Sequence, residues 1–347
     1  MPDPSRPAAE TFMAAEIRET PAVVGRLMAE QGRRIADLGR RMRDRDPAVV
    51  VTCARGSSDN AAASFKYLCE ILLGVPVASV GPSVASLYGA PLRLGNAVVV
   101  SVSQSGRSPD IVALQTAARE AGAFSIAVVN QDDSPLAQGA DAVIPLGAGT
   151  ERSVAATKTC LASAVALAAL VAEWRDDAGL RAAVAGLPDV LERTLGRDWS
   201  AALPAFTAAS SAYVVGRGPA LPVAAEAALK LKETAVLHAE AFSGAEVMHG
   251  PLQLLEPGFP VMAFAQDDAS RDAMRDSVAR LRAAGGRVFP VTADGAADGL
   301  AAAPTGHPLL DPLSMLLGFY GFAERLARAR GHDPDRPSHL RKVTETT

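Results

Sequence analysis

Hydroxyl and amide side chains crowd the stretch "VVVSVSQSGRSPDIVAL", at Ser103, Gln104, Ser105 and Ser108. The valines before them predict a buried strand, and Pro109 suits the first position of a helix with Ser108 as its N-cap. Hydroxyls, free backbone N–H groups and the positive end of a helix dipole would then point one way, which suits phosphate. The alternative is a polar loop with an ordinary N-cap. The density of serines favours the anion site.

A second loop, "ARGSSDN", would add Ser57 and Ser58 to the same crevice, although its signal alone is weak. Later in the chain, the stretch "AQDDASRD" places Asp267 and Asp268 where the first loop has serines. Carboxylates repel phosphate, so we expect only the first site to bind it. Neither a GxGxxG fingerprint nor a GxxxxGK[ST] loop occurs, and nucleotide binding therefore lacks support.

The elements that must position these loops occur twice. "PAVVVTCARGSSDN" and "SAYVVGRGPALPV" both indicate a strand, an Arg-Gly turn and a helix, and their glycines, Gly56 and Gly218, are 162 residues apart. Gly122 and Gly285, after the next helical pattern, are 163 apart. A near-constant offset indicates two copies of one unit. Short β-branched runs between longer helical patterns predict an α/β fold of two tandem units, each a doubly wound parallel β-sheet flanked by helices.

Changes in composition along the chain predict the domain boundaries. The last segment is polar and lacks periodicity, as a tail should. The segments are an N-terminal helical segment at 1–30, a first unit with the candidate phosphate site at 31–180, a linker at 181–198, a second unit at 199–330 and a tail at 331–347.

Composition narrows the class of protein. Hydrophobic residues make up 49 % of the 347 residues and the formal net charge is −4, which gives no electrostatic case for nucleic acid. Three scattered cysteines suggest free thiols in a reducing compartment. The N-terminus has no apolar run of signal-peptide length, and "LASAVALAALVA", at 12 residues, fits a buried helix better than a membrane span. We expect a soluble, cytoplasmic protein.

Four separated stretches resemble the sugar isomerase (SIS) domain pair of glucosamine-6-phosphate synthase. They are "SQSGRS", "GTERSVAATK", "EAALKLKETAVLHAEAFSGAEVMHGPL" and "HLRKVT", in the same order over about 300 residues. That family's amidotransferase domain has no counterpart in this sequence, since the chain starts almost directly at the sugar-binding part.

The resemblance implies roles for particular residues. Ser103, Gln104, Ser105 and Ser108 would hold the phosphate, with Ser57 and Ser58 touching phosphate or sugar and the backbones of Val154 and Ala155 lying along the ligand. The family uses three catalytic residues. They are a base that moves a proton between C1 and C2, a histidine that opens the sugar ring from the neighbouring subunit, and a lysine that forms a Schiff base. These correspond to Glu233, His249 and Lys342.

Some positions depart from the family. Arg107-Ser108 stands where the family usually has Glu-Thr, Ala156 replaces a serine and Phe242 replaces a tyrosine. Judged from the residues alone, Glu233 is better explained as part of a surface ion pair, since Glu226, Lys230 and Glu233 share one helix face. The match to the family motif reverses that judgement.

The resemblance implies a deaminase and isomerase that converts glucosamine-6-phosphate to fructose-6-phosphate and ammonia. The alternatives are a phosphosugar aldose–ketose isomerase, a fructosamine-6-phosphate deglycase and a non-catalytic sugar-phosphate sensor. No cluster of residues has metal-ligand spacing, and we expect neither metal nor cofactor. The histidine that reaches across in the family implies a homodimer with active sites at the subunit interface.

Overall fold

In a computed structural model, which describes residues 10–295 and 299–342, the first half of the chain forms a five-stranded sheet. Its β-branched runs are the strands that the sequence predicts. They are β1 (Val49–Cys53), β2 (Val77–Ser79), β3 (Ala97–Ser103), β4 (Phe124–Val129) and β5 (Ala142–Pro145). Every residue of β3 is buried, because helices cover both faces of the sheet.

The second half of the chain forms another five-stranded sheet. Its strands are β6 (Ser211–Gly216), β7 (His238–Ser243), β8 (Pro260–Phe264), β9 (Arg287–Thr292) and β10 (Leu300–Ala301). The first sheet has the order β2-β1-β3-β4-β5, and the second has β7-β6-β8-β9-β10. These orders are the same when each half is counted from its own first strand. All pairings recorded in the two sheets are parallel, so the predicted duplication and fold class are confirmed.

Helices flank the two sheets. Those of the first half are α1 (Phe12–Arg45), α2 (Ser57–Leu72), α3 (Ser83–Ser86), α4 (Pro109–Glu120), α5 (Pro135–Gln138) and α6 (Lys158–Arg175). Those after it are α7 (Ala178–Ala185), α8 (Leu187–Leu195), α9 (Leu203–Ala208), α10 (Ala220–Ala235), α11 (Arg271–Ala283) and α12 (Asp311–Ala329). The apolar run from Leu161 to Ala172 lies buried inside α6, as predicted. Over the described ranges, the chain contains no helix with the length and apolarity needed to cross a bilayer.

The long helix α1 packs along α6. It runs without a break through residues 30 and 31, where the sequence predicts a boundary between segments. The two backbones approach closely at Gly39, where an added Cβ would lie 2.5 Å from the Cβ of Glu173. A glycine at this point of α1 is therefore required by packing rather than by backbone conformation.

The predicted linker and tail are both structured. Residues 181–198 fall largely in α7 and α8, which meet at Gly186, and α8 ends at its C-cap Gly196. In the tail, the carboxylate of Asp335 accepts hydrogen bonds from the backbone N–H of Phe12 at 2.6 Å and of Met13 at 2.9 Å. The tail is thereby fastened to the start of α1. Residues 1–9 and 343–347 of the predicted terminal segments lie outside the described residues.

Candidate active site

The serine-rich loop joins the carboxyl end of β3 to α4. Ser103 is the last residue of the strand, Pro109 is the first of the helix, and Ser108 is the N-cap with extended backbone angles. These predictions are confirmed. The Ser108 side chain makes no capping hydrogen bond, which is not how an ordinary serine cap behaves. Its hydroxyl is therefore not engaged by the helix.

The loop owes its tight shape to Gly106. Its φ of +61° is in the left-handed region, and an added Cβ would lie 2.1 Å from the Oγ of Ser134. The Oγ of Ser103 accepts the Gly106 N–H at 3.1 Å, and the Oγ of Ser105 accepts the Arg107 N–H at 3.3 Å. A hydroxyl that accepts from the backbone still has a proton to donate to a ligand.

A cavity of about 160 Å³ opens beside this loop. It lies at the ends of β1 and β3, the switch point of the strand order, where open α/β sheets bind ligands. Its lining is made by Arg55, Ser58, Val102, Ser103, Gln104, Ser105, Ser108, Ile111 and Lys342. The structure thus brings together six of the predicted site residues. Lys342, from the far end of the chain, is among them.

Lys342 is held by a carboxylate that sequence reasoning missed. Its Nζ donates to Oε2 of Glu151 at 2.8 Å, and the Glu151 side chain is fully buried. Glu151 also accepts the backbone N–H groups of Thr157 at 3.0 Å and Thr159 at 3.1 Å, and the hydroxyl of Thr159 at 2.8 Å. Burial would raise the pKa of Glu151, but Lys342 and these hydrogen bonds outweigh burial and lower it. Glu151 is therefore an ionised anchor for the tail.

Arg55 is the second site residue that sequence reasoning missed. It follows β1, and its Nε and Nη2 donate to Oδ2 of Asp110 at 2.8 Å and 2.6 Å. Asp110 is fully buried in the first turn of α4, whereas the Arg55 side chain is 49 % exposed and lines the cavity. The sequence did contain a signal for this role, since Arg55 lies two residues after the end of a predicted strand, where ligands bind.

Three predicted binding residues do not line this cavity. Ser57 begins α2 and is nearly buried, with its carbonyl accepting the Cys160 thiol at 3.3 Å. Val154 and Ala155 lie in the same loop as Glu151, ahead of α6. Their contact with a ligand stays a prediction.

Glu233 lies in the last turns of α10 with its side chain 22 % exposed. The Lys230 ammonium donates to Glu233 in a short contact, and it lies 3.4 Å from Oε1 of Glu226. Lys230 and Glu226 are both almost completely buried, so the alternative of a surface ion pair is wrong. The reason is that α2 and α12 cover this face of α10.

The buried ion pair connects the two halves of the chain. Glu226 accepts hydrogen bonds from Asn60 of α2 at 2.8 Å and from the Tyr320 hydroxyl of α12 at 3.1 Å. Burial raises the pKa of Glu226. Burial would lower the pKa of Lys230, but Glu226 and Glu233 outweigh it and raise that pKa well above its ordinary value. Lys230 is therefore a permanent cation beside Glu233.

His249 is exposed and follows a short 3₁₀ helix, Glu246–Met248. It is not one of the residues that line the cavity. Its predicted action on a neighbouring subunit stays a prediction.

A larger cavity, of about 600 Å³, lies in the second half against α11. Its lining mixes arginines with Asp267, Asp294 and Asp311. None of the predicted catalytic residues lines it. Lys342 lines the smaller, serine-lined cavity, where we place the candidate site, whereas Glu233 and His249 are not among the residues that line it.

Comparison with known proteins links this geometry to one family. The sequence pattern of the SIS domain matches residues 45–173 and 205–298, which together make up more than half of the chain. A glutamine–fructose-6-phosphate aminotransferase (isomerizing) from Leifsonia xyli subsp. xyli is 33 % identical over 361 residues. The alignment covers 96 % of this chain and 58 % of that protein, so the chain spans little more than half of the relative's length.

Solved structures give the same result. A protein from Silicibacter pomeroyi, provisionally described as a phosphosugar isomerase, superposes with a TM-score of 0.89 at 45 % identity, covering 94 % of this chain and all of that one. A glucosamine-6-phosphate deaminase from Thermotoga maritima superposes with a TM-score of 0.77 at 17 % identity, covering 97 % of this chain and all of that one. The second likeness concerns the fold alone.

Proposed function

Since the chain belongs to the SIS domain family, we propose that it converts glucosamine-6-phosphate to fructose-6-phosphate and ammonia. The observation that carries this proposal is that the serine loop and the amine of Lys342 line one cavity. Phosphate recognition and amine chemistry then take place on the same small molecule. The resemblance to amino-sugar enzymes supports the choice of substrate.

The phosphate would bind at the serine loop. Ser103, Ser105 and Ser108 offer hydroxyl protons, and the start of α4 offers backbone N–H groups. This contact would fix the 6-end of the sugar and leave the C1–C2 end free for the reaction.

Glu233 would transfer the proton from C2 to C1 of the opened sugar, which turns the amino aldehyde into a ketimine. The buried cation of Lys230 contacts its carboxylate and would hold it in one orientation. A carboxylate positioned in this way is a usual general base for proton transfer next to a carbonyl.

Lys342 would release the nitrogen. Its ammonium would first give a proton to the ketimine nitrogen, and the neutral amine that results would attack C2. Ammonia then leaves, and a Schiff base between the lysine and the ketose remains. Water then hydrolyses that bond, which gives fructose-6-phosphate and restores the lysine. Glu151 would orient the lysine for the attack.

Ring opening is assigned to His249 of a neighbouring subunit, which requires a homodimer. An imidazole titrates near neutral pH and suits removal of the anomeric proton. The exposed position of His249 is compatible with such an interface.

Aldose–ketose isomerisation of a phosphosugar is the second candidate function. It is favoured by the provisional description of the Silicibacter pomeroyi protein. Isomerisation needs the phosphate loop and Glu233 but gives no role to Lys342. The lysine at the cavity therefore favours the deaminase over the isomerase, over a deglycase and over a sensor without turnover.

The proposal is tested by incubating the purified protein with glucosamine-6-phosphate. We expect ammonium and fructose-6-phosphate in equal amounts, and a loss of about 100-fold or more in kcat for Glu233→Gln. Glu240→Gln, at an exposed position of β7, is the matched control and should keep the wild-type rate. Absence of ammonium, or a Glu233→Gln enzyme as fast as wild type, would show the proposal to be wrong.

A further inference from the structure

We propose that Arg55 is a direct ligand of the substrate phosphate and that Asp110 aims its guanidinium at the cavity. The inference rests on the proposed function, since it concerns the same phosphate site. It adds a cationic residue, from the loop after β1, to a phosphate site for which the sequence predicts hydroxyl and amide side chains.

Asp110 fixes the orientation of the Arg55 guanidinium. Both bonds from Arg55, from Nε at 2.8 Å and from Nη2 at 2.6 Å, end on one oxygen of Asp110. The other oxygen of Asp110 accepts the N–H of Ile111 at 2.9 Å, which holds the carboxylate to the first turn of α4. A guanidinium has five N–H donors in a rigid plane. With one edge fixed by Asp110, the orientation of the whole group is determined.

Arg55 faces the cavity although its partner is buried. Asp110 is fully buried, yet the Arg55 side chain remains 49 % exposed and lines the cavity beside Ser103 and Ser108. An arginine that only stabilised the fold would not have to line the ligand cavity, so the position of Arg55 favours contact with a ligand.

Arg55 also offsets a negative charge at the start of α4. The carboxylate of Asp110 lies at the same helix start that would bind the phosphate, and alone it would repel an anion. Arg55 cancels that charge and offers planar donors that match phosphate geometry.

Arg107 provides a matched control. It belongs to the serine loop between β3 and α4, and like Arg55 it pairs with an aspartate, Asp133, at 3.3 Å. Both side chains of that pair are more than half exposed, and Arg107 does not line the cavity. Substituting Arg107 removes a positive charge near the site without removing a cavity donor.

The experiment measures the Kd of inorganic phosphate and of fructose-6-phosphate by calorimetry. Arg55→Ala is expected to weaken both by about 10-fold to 100-fold, the usual range for one charge-assisted hydrogen bond. Arg107→Ala should change them by less than about 3-fold. Arg55→Lys, which keeps the charge but not the planar donors, should fall between wild type and Arg55→Ala.

A double variant separates direct contact from charge cancellation. If Arg55 binds the phosphate, Arg55→Ala with Asp110→Asn stays weak. Recovery of wild-type affinity in the double variant would mean that Arg55 only neutralises Asp110, and the proposal would be wrong. Equal affinity of Arg55→Ala and wild type would also overturn it, provided that circular dichroism shows both proteins folded.

Failure of this inference can be told apart from failure of the proposed function. If the wild type binds phosphate more tightly than Arg55→Ala but releases no ammonium, the deaminase is refuted and the role of Arg55 as a phosphate ligand is supported. If the wild type releases ammonium and Arg55→Ala binds phosphate as tightly as the wild type, the deaminase is supported and the ligand role of Arg55 is refuted. A wild-type protein that binds neither phosphate nor sugar phosphate would overturn both.

Discussion

Glu151 shows how one buried carboxylate can connect distant parts of a chain. It joins the start of α6 to a lysine 191 residues away, and both of its oxygens are hydrogen-bonded. A buried charge that keeps several donors is stable in the ionised form. Its effect on the protein should therefore depend on pH.

We expect Glu151→Gln to lower the free energy of unfolding by about 2 kcal/mol at pH 7. The folded-state pKa of Glu151 lies below its ordinary value of 4.5, so its contribution is complete above that value and is lost as pH falls through the folded-state pKa. The difference between the two proteins in urea unfolding should therefore shrink below about pH 4.5. Asp133→Asn, at an exposed position, serves as control. A difference that did not change with pH would contradict this account.

The Lys230 ammonium lies between two carboxylates and is completely buried. Lys230→Met should destabilise the protein by about 3–5 kcal/mol in urea unfolding, because it leaves a buried carboxylate without its cation. Adding Glu226→Gln to that variant should recover part of the loss, since the uncompensated charge is then removed. A Lys230→Met protein as stable as wild type would mean that the network is not ionic.

The local structure of the serine loop was predicted correctly. The serine loop could be recognised because strand, glycine, N-cap and proline follow one another within a few positions. Arg55 and Glu151 could not be recognised, since each acts through a partner 55 or 191 residues away. The spacing of Glu226 and Lys230 indicated an ion pair but not its burial, which depends on α2 and α12.

At the scale of elements, the contact between α1 and α6 depends on small residues. Gly39→Ala would place a methyl group 2.5 Å from the Cβ of Glu173. We expect a loss of about 2 kcal/mol in the free energy of unfolding, as for other overpacked contacts. Gly32 lies in the same helix with nothing within 4 Å of its added Cβ. Gly32→Ala should stabilise by about 0.5–1 kcal/mol, through helix propensity alone. Equal effects at the two positions would contradict the packing argument.

Strands and buried helices could be predicted because their apolar patterns are strong. The length of α1 was not predicted. Its many charged residues obscure the apolar pattern of a helix that continues through residues 30 and 31. The contact that fastens the tail to α1 was not predicted. Its fastening by Asp335 depends on two backbone N–H groups at the other end of the chain.

At the scale of the whole molecule, the two sheets share one strand order but have diverged in chemistry. The first half contributes the serine loop, and the corresponding loop of the second half carries Asp267 and Asp268. The second half contributes α10 with Glu233, joined to α2 by the bond from Asn60 to Glu226. Duplication of one fold thus produced two different halves, and the proposed reaction requires both.

The placement of Lys342 beyond α12 makes the proposed activity separable from folding. Both sheets and their helices are complete before the chain reaches that residue. A single cut by a protease in the polar segment between Arg336 and Leu340 would remove the amine and leave the rest of the architecture standing. Such a nicked molecule would still recognise sugar phosphates at its serine loop, and it would compete with intact enzyme for them without consuming any.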